Sequence, residues 1–167
     1  TTYEQNVILE KANKLSTEFD SRIYPLETVF WGSEPNPGID NDSRIYIVLS
    51  NLVDTAGGYY DTGSQYLKDR VPESNEKEII FLNIRTLLNS SDRRANTFLA
   101  HEFQHLISFN QKTILRDSDD DVWLNEVRSE FTPTHLGYDD LYDGSNLKRR
   151  VAAFLAEKIS FLDIPRQ

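Results

Sequence analysis

Residues 95–108 read Ala95-Asn-Thr-Phe98-Leu99-Ala-His101-Glu102-Phe103-Gln-His105-Leu106-Ile107-Ser, and this stretch decides the fold. Ala95, Leu99, Phe103, Leu106 and Ile107 recur at helical spacing and share one face, so the segment reads as an amphipathic helix. Ser91 or Asp92 can cap its start, and it runs to about Asn110. His101 and His105 stand one turn apart on the opposite face, where both imidazoles can reach one ion. Glu102 lies about 100° to the side, placed to reach a water rather than to share the ion with them. The chain has three histidines and two of them fall in this H-E-x-x-H pattern, which makes chance an inadequate account of it.

A catalytic zinc site takes three protein ligands and leaves one position open. Ser108 and Gln111 stand where the same helix would have to supply a glycine and a third histidine, so the third ligand comes from elsewhere. Trp123-Leu124-Asn125-Glu126 provides a glutamate 21 residues after His105, room for a helix tail, a turn and an antiparallel second helix. Glu130 follows one turn later and can accept the free N–H of a ligating histidine. That second helix is expected from Val122 to about Phe131, capped by the turn Asp117–Asp121 and ended by Pro133.

Outward from this centre, the first segment, Tyr3 to Phe19, is helical in pattern. Arg44–Leu49 and Glu78–Ile84 are apolar, β-rich runs of strand length, and Ala56–Tyr60 is a glycine-rich bend. A last helix is expected from about Asn146 to Leu162, with Val151, Phe154, Leu155, Ile159 and Leu162 on one side. Helix, sheet, then helices make an α+β domain, with a small mixed sheet over the active-site helix. One domain over 1–167 is expected, with the sheet and active-site helix in 1–111 and a helical part in 112–167.

Residues 98–131, with His101-Glu102-x-x-His105 and Trp123-Leu124-Asn125-Glu126, resemble the gluzincin clan of zinc metallopeptidases. Asn125-Glu126-x-x-Ser129-Glu130 is similar to the glutamate helix of thermolysin-like enzymes, which ends in aspartate. The Trp-Leu-Asn-Glu wording is closer to the hyicolysin-like and aminopeptidase branches, where glycine often follows the glutamate and Val127 stands here. Gly58–Asp61 and Asn75–Ile79 extend the hyicolysin-like resemblance to residues 57–131. The resemblance implies a zincin-type domain that hydrolyses peptide bonds, with His101, His105 and Glu126 as zinc ligands and Glu102 as general base and acid. It also implies that strand 78–84 is a sheet edge along which an extended peptide binds. Such sites use a second oxyanion donor. The candidates are His135, Tyr138, Tyr142, Tyr59 and Tyr60, with Tyr138 and His135 favoured for following the third ligand closely.

Other signals exclude alternatives. A net charge of −9 disfavours nucleic acid and anionic membrane as partners. The absence of cysteine removes disulfides, Cys-bound zinc and a thiol nucleophile. No apolar run approaches the 18 residues a membrane span needs. The chain opens at Thr1 and has no methionine, which reads as a mature or trimmed product, and a secreted monomer is expected. The Asp117–Asp121 turn could hold calcium, though a solvated capping turn is the favoured reading. Lys148-Arg149-Arg150 reads as a solvated helix face, and Trp31 and Trp123 as core or cleft-wall aromatics. The rival readings are a zinc-holding interaction module that does not cut, and a calcium-dependent structural domain of a surface protein.

Overall fold

Ile79-Ile80-Phe81-Leu82 is apolar at every position, a pattern that suits a strand flanked on both sides rather than one with a wet edge. The computed structural model describes residues 2–52, 56–143 and 145–156. In it this run is β3 (Ile79–Asn83), the middle of a three-stranded mixed sheet. β1 (Tyr46–Ser50) pairs with it in parallel, Tyr46 opposite Ile79. β2 (Gly58–Tyr60) pairs antiparallel on its other side, Gly58 opposite Leu82 and Tyr60 opposite Ile80. The expectation that strand 78–84 is the edge is therefore corrected: both its ladders are taken. The edges are β1 and β2, and β2, formed by residues that the sequence pattern reads as a bend, meets no strand on its outer side among the described residues.

The helices are α1 (Thr2–Glu18), α2 (Tyr24–Trp31), α3 (Ile84–Asn89), α4 (Asp92–Ser108), α5 (Val122–His135) and α6 (Asn146–Ala156). A wide π turn over Phe19–Ile23 joins α1 to α2, and another over Phe109–Ile114 extends α4. Ser91 caps α4, its hydroxyl accepting from the Arg94 N–H at 3.2 Å. The expected core face of α4 is buried throughout, with Leu99, Phe103, Leu106 and Ile107 wholly inaccessible. They pack on Ile80 and Leu82 of the sheet and on Leu15, Phe19 and Ile23 before α2. Phe103 meets Phe19 edge-on at 5.0 Å and stacks on Tyr24 at 5.7 Å.

Three local expectations change. Asp121 gives α5 no side-chain cap; its carboxylate accepts from Trp123 Nε1 at 3.3 Å instead. Pro133 lies inside α5 and does not end it, because a missing N–H removes one rung of a helix already formed upstream. The stop comes at Gly137, whose φ of +82° suits glycine, with its N–H bonded to Thr134 O at 3.0 Å. Trp123 is exposed rather than packed, whereas half-buried Trp31 donates from Nε1 to Thr132 Oγ1 at 2.9 Å. Val151 and Leu155 of α6 are exposed; Ile159 and Leu162 of the expected helix lie outside the described residues.

Candidate metal centre

The four-residue spacing on α4 sets the His101 and His105 rings 4.8 Å apart, centre to centre, with their Nε2 atoms 3.1 Å apart. α5 runs alongside and brings Glu126 to them. One carboxylate oxygen is 3.6 Å from His101 Nε2 and the other 3.5 Å from His105 Nε2. Ligands about 2.0–2.2 Å from a tetrahedral zinc stand roughly 3.3–3.6 Å from one another, so these separations are close to the edges of such a site. Among the described residues these three form the cluster of metal-ligating side chains.

The outer atoms of both rings have partners. His105 Nδ1 lies 3.2 Å from Asn125 Oδ1 and 3.1 Å from Ser129 Oγ. The Ser129 hydroxyl donates to Gln104 Oε1 at 2.5 Å, and Gln104 Nε2 donates to Ser108 Oγ at 2.8 Å. Gln104 and Ser129 are both buried. His101 Nδ1 lies 3.4 Å from Glu130 Oε1, the position expected from the sequence, and Glu130 is itself ion-paired with Arg150. These acceptors assign the ring protons to Nδ1. Both Nε2 lone pairs and the Glu126 carboxylate then converge on one point. Three electron-rich groups this close repel one another unless a cation lies between them, and so this donor set fits a metal.

The electrostatics agree. Burial, with His105 and Arg150 nearby, holds His101 down to about pKa 3. Burial also lowers His105, against the pull of Glu126 and Asn125. Both imidazoles are thus neutral, as ligation requires. Burial pushes Glu102 up to about 8, with Glu126 and Glu130 adding to it, against a hydrogen bond from the Tyr60 N–H. Burial raises Glu130 as well, and Arg150 opposes it.

A cavity of about 420 Å³ opens over the triad, lined by Gly58, Tyr59 and Tyr60 of β2 as well as Glu102 and Asn125. Gly58 is needed there. A Cβ on it would fall 2.8 Å from Phe81 O and 3.1 Å from Glu102 Cγ, so glycine lets the edge strand approach the acid. The structure does not bring His135 or Tyr138 to this cavity. The Tyr138 hydroxyl donates to Glu18 at 2.6 Å beneath the surface, and the His135 ring lies on Phe30 at 4.3 Å. Sequence position after Glu126 suggested them, but α5 carries both along to the α1–α2 side. Tyr142 sits under Arg93, 4.5 Å from the guanidinium carbon. Of the five oxyanion candidates, Tyr59 and Tyr60 line the cavity.

The residues that sequence reasoning left without a role are Asn125, Ser129 and Gln104. Their signal was a polar side chain beside each ligand on a helix whose partner face is buried. The Asp-rich turn is occupied by the chain itself: Asp119 accepts from Thr113 Oγ1 at 2.8 Å, and Asp120 is paired with Lys112 at 3.6 Å and with Arg128. No helix among the described residues is long and apolar enough to cross a membrane.

No family model and no solved structure match the chain. The neutral metalloprotease ShpI of Staphylococcus hyicus is similar to it, at 31% identity over 137 residues. That match covers 73% of this chain and 30% of the relative, so the chain spans less than a third of the protein it resembles. The chain is thus similar to part of a metalloprotease, and its own residues bring together a triad that could hold a metal ion.

Proposed function

We propose that the chain is the catalytic portion of a zinc-dependent peptidase of the gluzincin clan. The carrying observation is the convergence of two neutral imidazole nitrogens and one carboxylate at tetrahedral spacing, with Glu102 alongside. His101, His105 and Glu126 would hold the ion. Zinc held there supplies Lewis-acid polarisation of the scissile carbonyl and lowers the pKa of a water toward about 7.

The chain's own residues handle the proton and the substrate. Glu102 takes the proton of the attacking water on a carboxylate oxygen and later gives it to the leaving amine. Its carboxyl is held high by burial and by Glu126 and Glu130, and a cation beside it draws it back down. Glu130 and Asn125 hold the two imidazoles in the tautomer that leaves each Nε2 free. Peptide binds along β2 instead of strand 78–84. The Tyr60 N–H bonds Glu102 and so faces the cleft, and the peptide groups of Gly58 face the same way two residues earlier. An extended substrate adds there as a further strand. Tyr59 is the second oxyanion donor in this reading, because the Tyr60 hydroxyl is buried whereas Tyr59 is exposed.

The test is cleavage of an unbiased peptide mixture by the zinc-loaded chain beside Glu102→Ala, with zinc stoichiometry measured on both. Cutting by the wild type and not by the variant, at equal zinc content, is expected. Zinc binding without cutting by either chain refutes the catalytic reading and leaves the zinc-holding interaction module.

A further inference from the structure

The cleft along β2 differs at its two ends. Beyond Tyr60 a cavity of about 340 Å³ is lined by His105, Lys112, Asp119 and Asp120. At the Gly57–Gly58 end a smaller one of about 160 Å³, the volume of a single side chain, lies against Glu102, Glu130, Phe98, Arg149 and Arg150. The sequence reads these arginines as a solvated helix face; both are exposed, and both stand in the wall of this cavity. Arg150 is matched by Glu130. Arg149 makes no ion pair among the described residues: its guanidinium donates to the neutral Asn146 Oδ1 at 3.0 Å, and its charge is felt at Glu130 only from a distance. The cavity wall thus balances two carboxylates, Glu102 and Glu130, against two guanidiniums, of which Arg149 is the one without an ion pair among the described residues.

The direction of the substrate follows from the strand. β2 runs from Gly58 to Tyr60, and antiparallel pairing is the more stable way to add to it. The bound peptide then enters by Tyr60 and leaves by Gly58, so the small cavity receives the residue just C-terminal to the cut bond. Resting on the peptidase reading above, we infer that this cavity is a subsite for a carboxylate on that residue, held by Arg149. An aspartate or glutamate side chain and the free C-terminal carboxylate of a short substrate present the same chemistry, and both are accepted at this site in principle.

Paired quenched-fluorescence peptides test it. One pair carries Glu or Gln just after the scissile bond with an amidated end, and a second carries Glu or Gln just before it. A further peptide has Gln as its last residue with a free carboxylate. A hydrogen bond to a charged group is worth about 1.5–3 kcal/mol, so the zinc-loaded wild type should prefer Glu over Gln after the bond by roughly tenfold or more in kcat/KM. Arg149→Gln should bring that ratio to within about twofold, and Arg149→Glu should favour Lys in its place. A preference confined to the free-carboxylate peptide still places the anion at Arg149 and identifies its source as the chain terminus. Equal rates for Glu and Gln after the bond together with no gain for the free-carboxylate peptide, or a preference only before the bond, overturn the inference. So does an unchanged ratio in Arg149→Gln. Calorimetric binding of the same peptides to zinc-loaded Glu102→Gln reads the Glu:Gln ratio without turnover. If no peptide is cut, the peptidase reading fails while this binding ratio still decides the subsite.

Discussion

Glu102→Gln should make the metal-free chain more stable at pH 8 and leave it almost unchanged at pH 5. Glu102 is buried, with neighbouring carboxylates, and its pKa is raised from 4.5 to about 8. A carboxyl with a raised native pKa holds its proton more tightly when folded. The stability it contributes is therefore fully present below about pH 4.5 and is lost as pH rises through about 8. Each pH unit in that interval corresponds to about 1.4 kcal/mol, which gives a ceiling of roughly 4–5 kcal/mol by pH 8. Glutamine keeps the shape and cannot ionise, so the variant escapes this loss.

Urea unfolding of both chains in chelator, at pH 5, 6, 7 and 8, measures the difference curve directly. Glu27, Glu78 and Glu130 titrate in both chains, so their contributions largely cancel. A difference that grows with pH to at least half the ceiling supports the placement of Glu102 in a dry, carboxylate-rich cleft. Parallel pH profiles for the two chains refute it. Zinc should flatten the wild-type slope, because a cation among His101, His105 and Glu126 favours the Glu102 carboxylate.

Three shorter expectations follow from named contacts. Ser129→Ala leaves Gln104 Oε1 buried without its donor and His105 Nδ1 with one acceptor fewer, so stability should fall by about 1–3 kcal/mol and zinc affinity by about tenfold or more. Chemical unfolding and zinc competition read the two effects separately. Tyr138→Phe removes the bond to Glu18 and should lower stability by about 0.5–1.5 kcal/mol with peptide turnover unchanged; a hundredfold loss of kcat would return Tyr138 to the chemistry. Gly58→Val drives a side chain into Phe81 O and toward Glu102, and should cut peptide turnover more than tenfold at full zinc occupancy. Unimpaired turnover would show that substrate does not use the β2 edge.

The helix that carries the histidines was legible because two independent periodicities agree on it. Apolar residues at Leu99, Phe103, Leu106 and Ile107 fix one face, and the i, i+4 histidines fix the other. Glu126 and Glu130 were legible for the same reason, since one turn of α5 separates them. Sheet order was not. A local pattern states that Ile79–Asn83 is a strand but is silent on which strands flank it, and three-residue β2 is too short to show alternation. His135 was misplaced by distance along the chain. Pro133 suggested a helix end, whereas α5 continues to His135 before the stop at Gly137 and carries the His135 side chain away from the cleft. α2 and α3 follow wide or tight turns whose hydrogen bonds leave no strong trace in composition.

The polar residues behind the histidines explain why this cleft needs buried groups that a core would otherwise exclude. Ser108, Gln104, Ser129 and His105 form one chain of hydrogen bonds, each buried donor finding an acceptor, so the arrangement avoids the cost of a half-satisfied network. Apolar replacements of equal volume could pack as well, but they would leave His105 free to rotate or to change tautomer. With the relay in place, the proton stays on Nδ1 and the Nε2 lone pair faces Glu126. Burial of the same rings depresses their proton affinity, so protons do not compete for those lone pairs near neutral pH. Burial beside Glu126 and Glu130 has the opposite effect on Glu102, whose charge is the one disfavoured. One dry environment therefore leaves two bases unprotonated for a cation and gives the neighbouring acid a proton to hold. It does so because imidazole is charged when protonated and a carboxyl is charged when it is not.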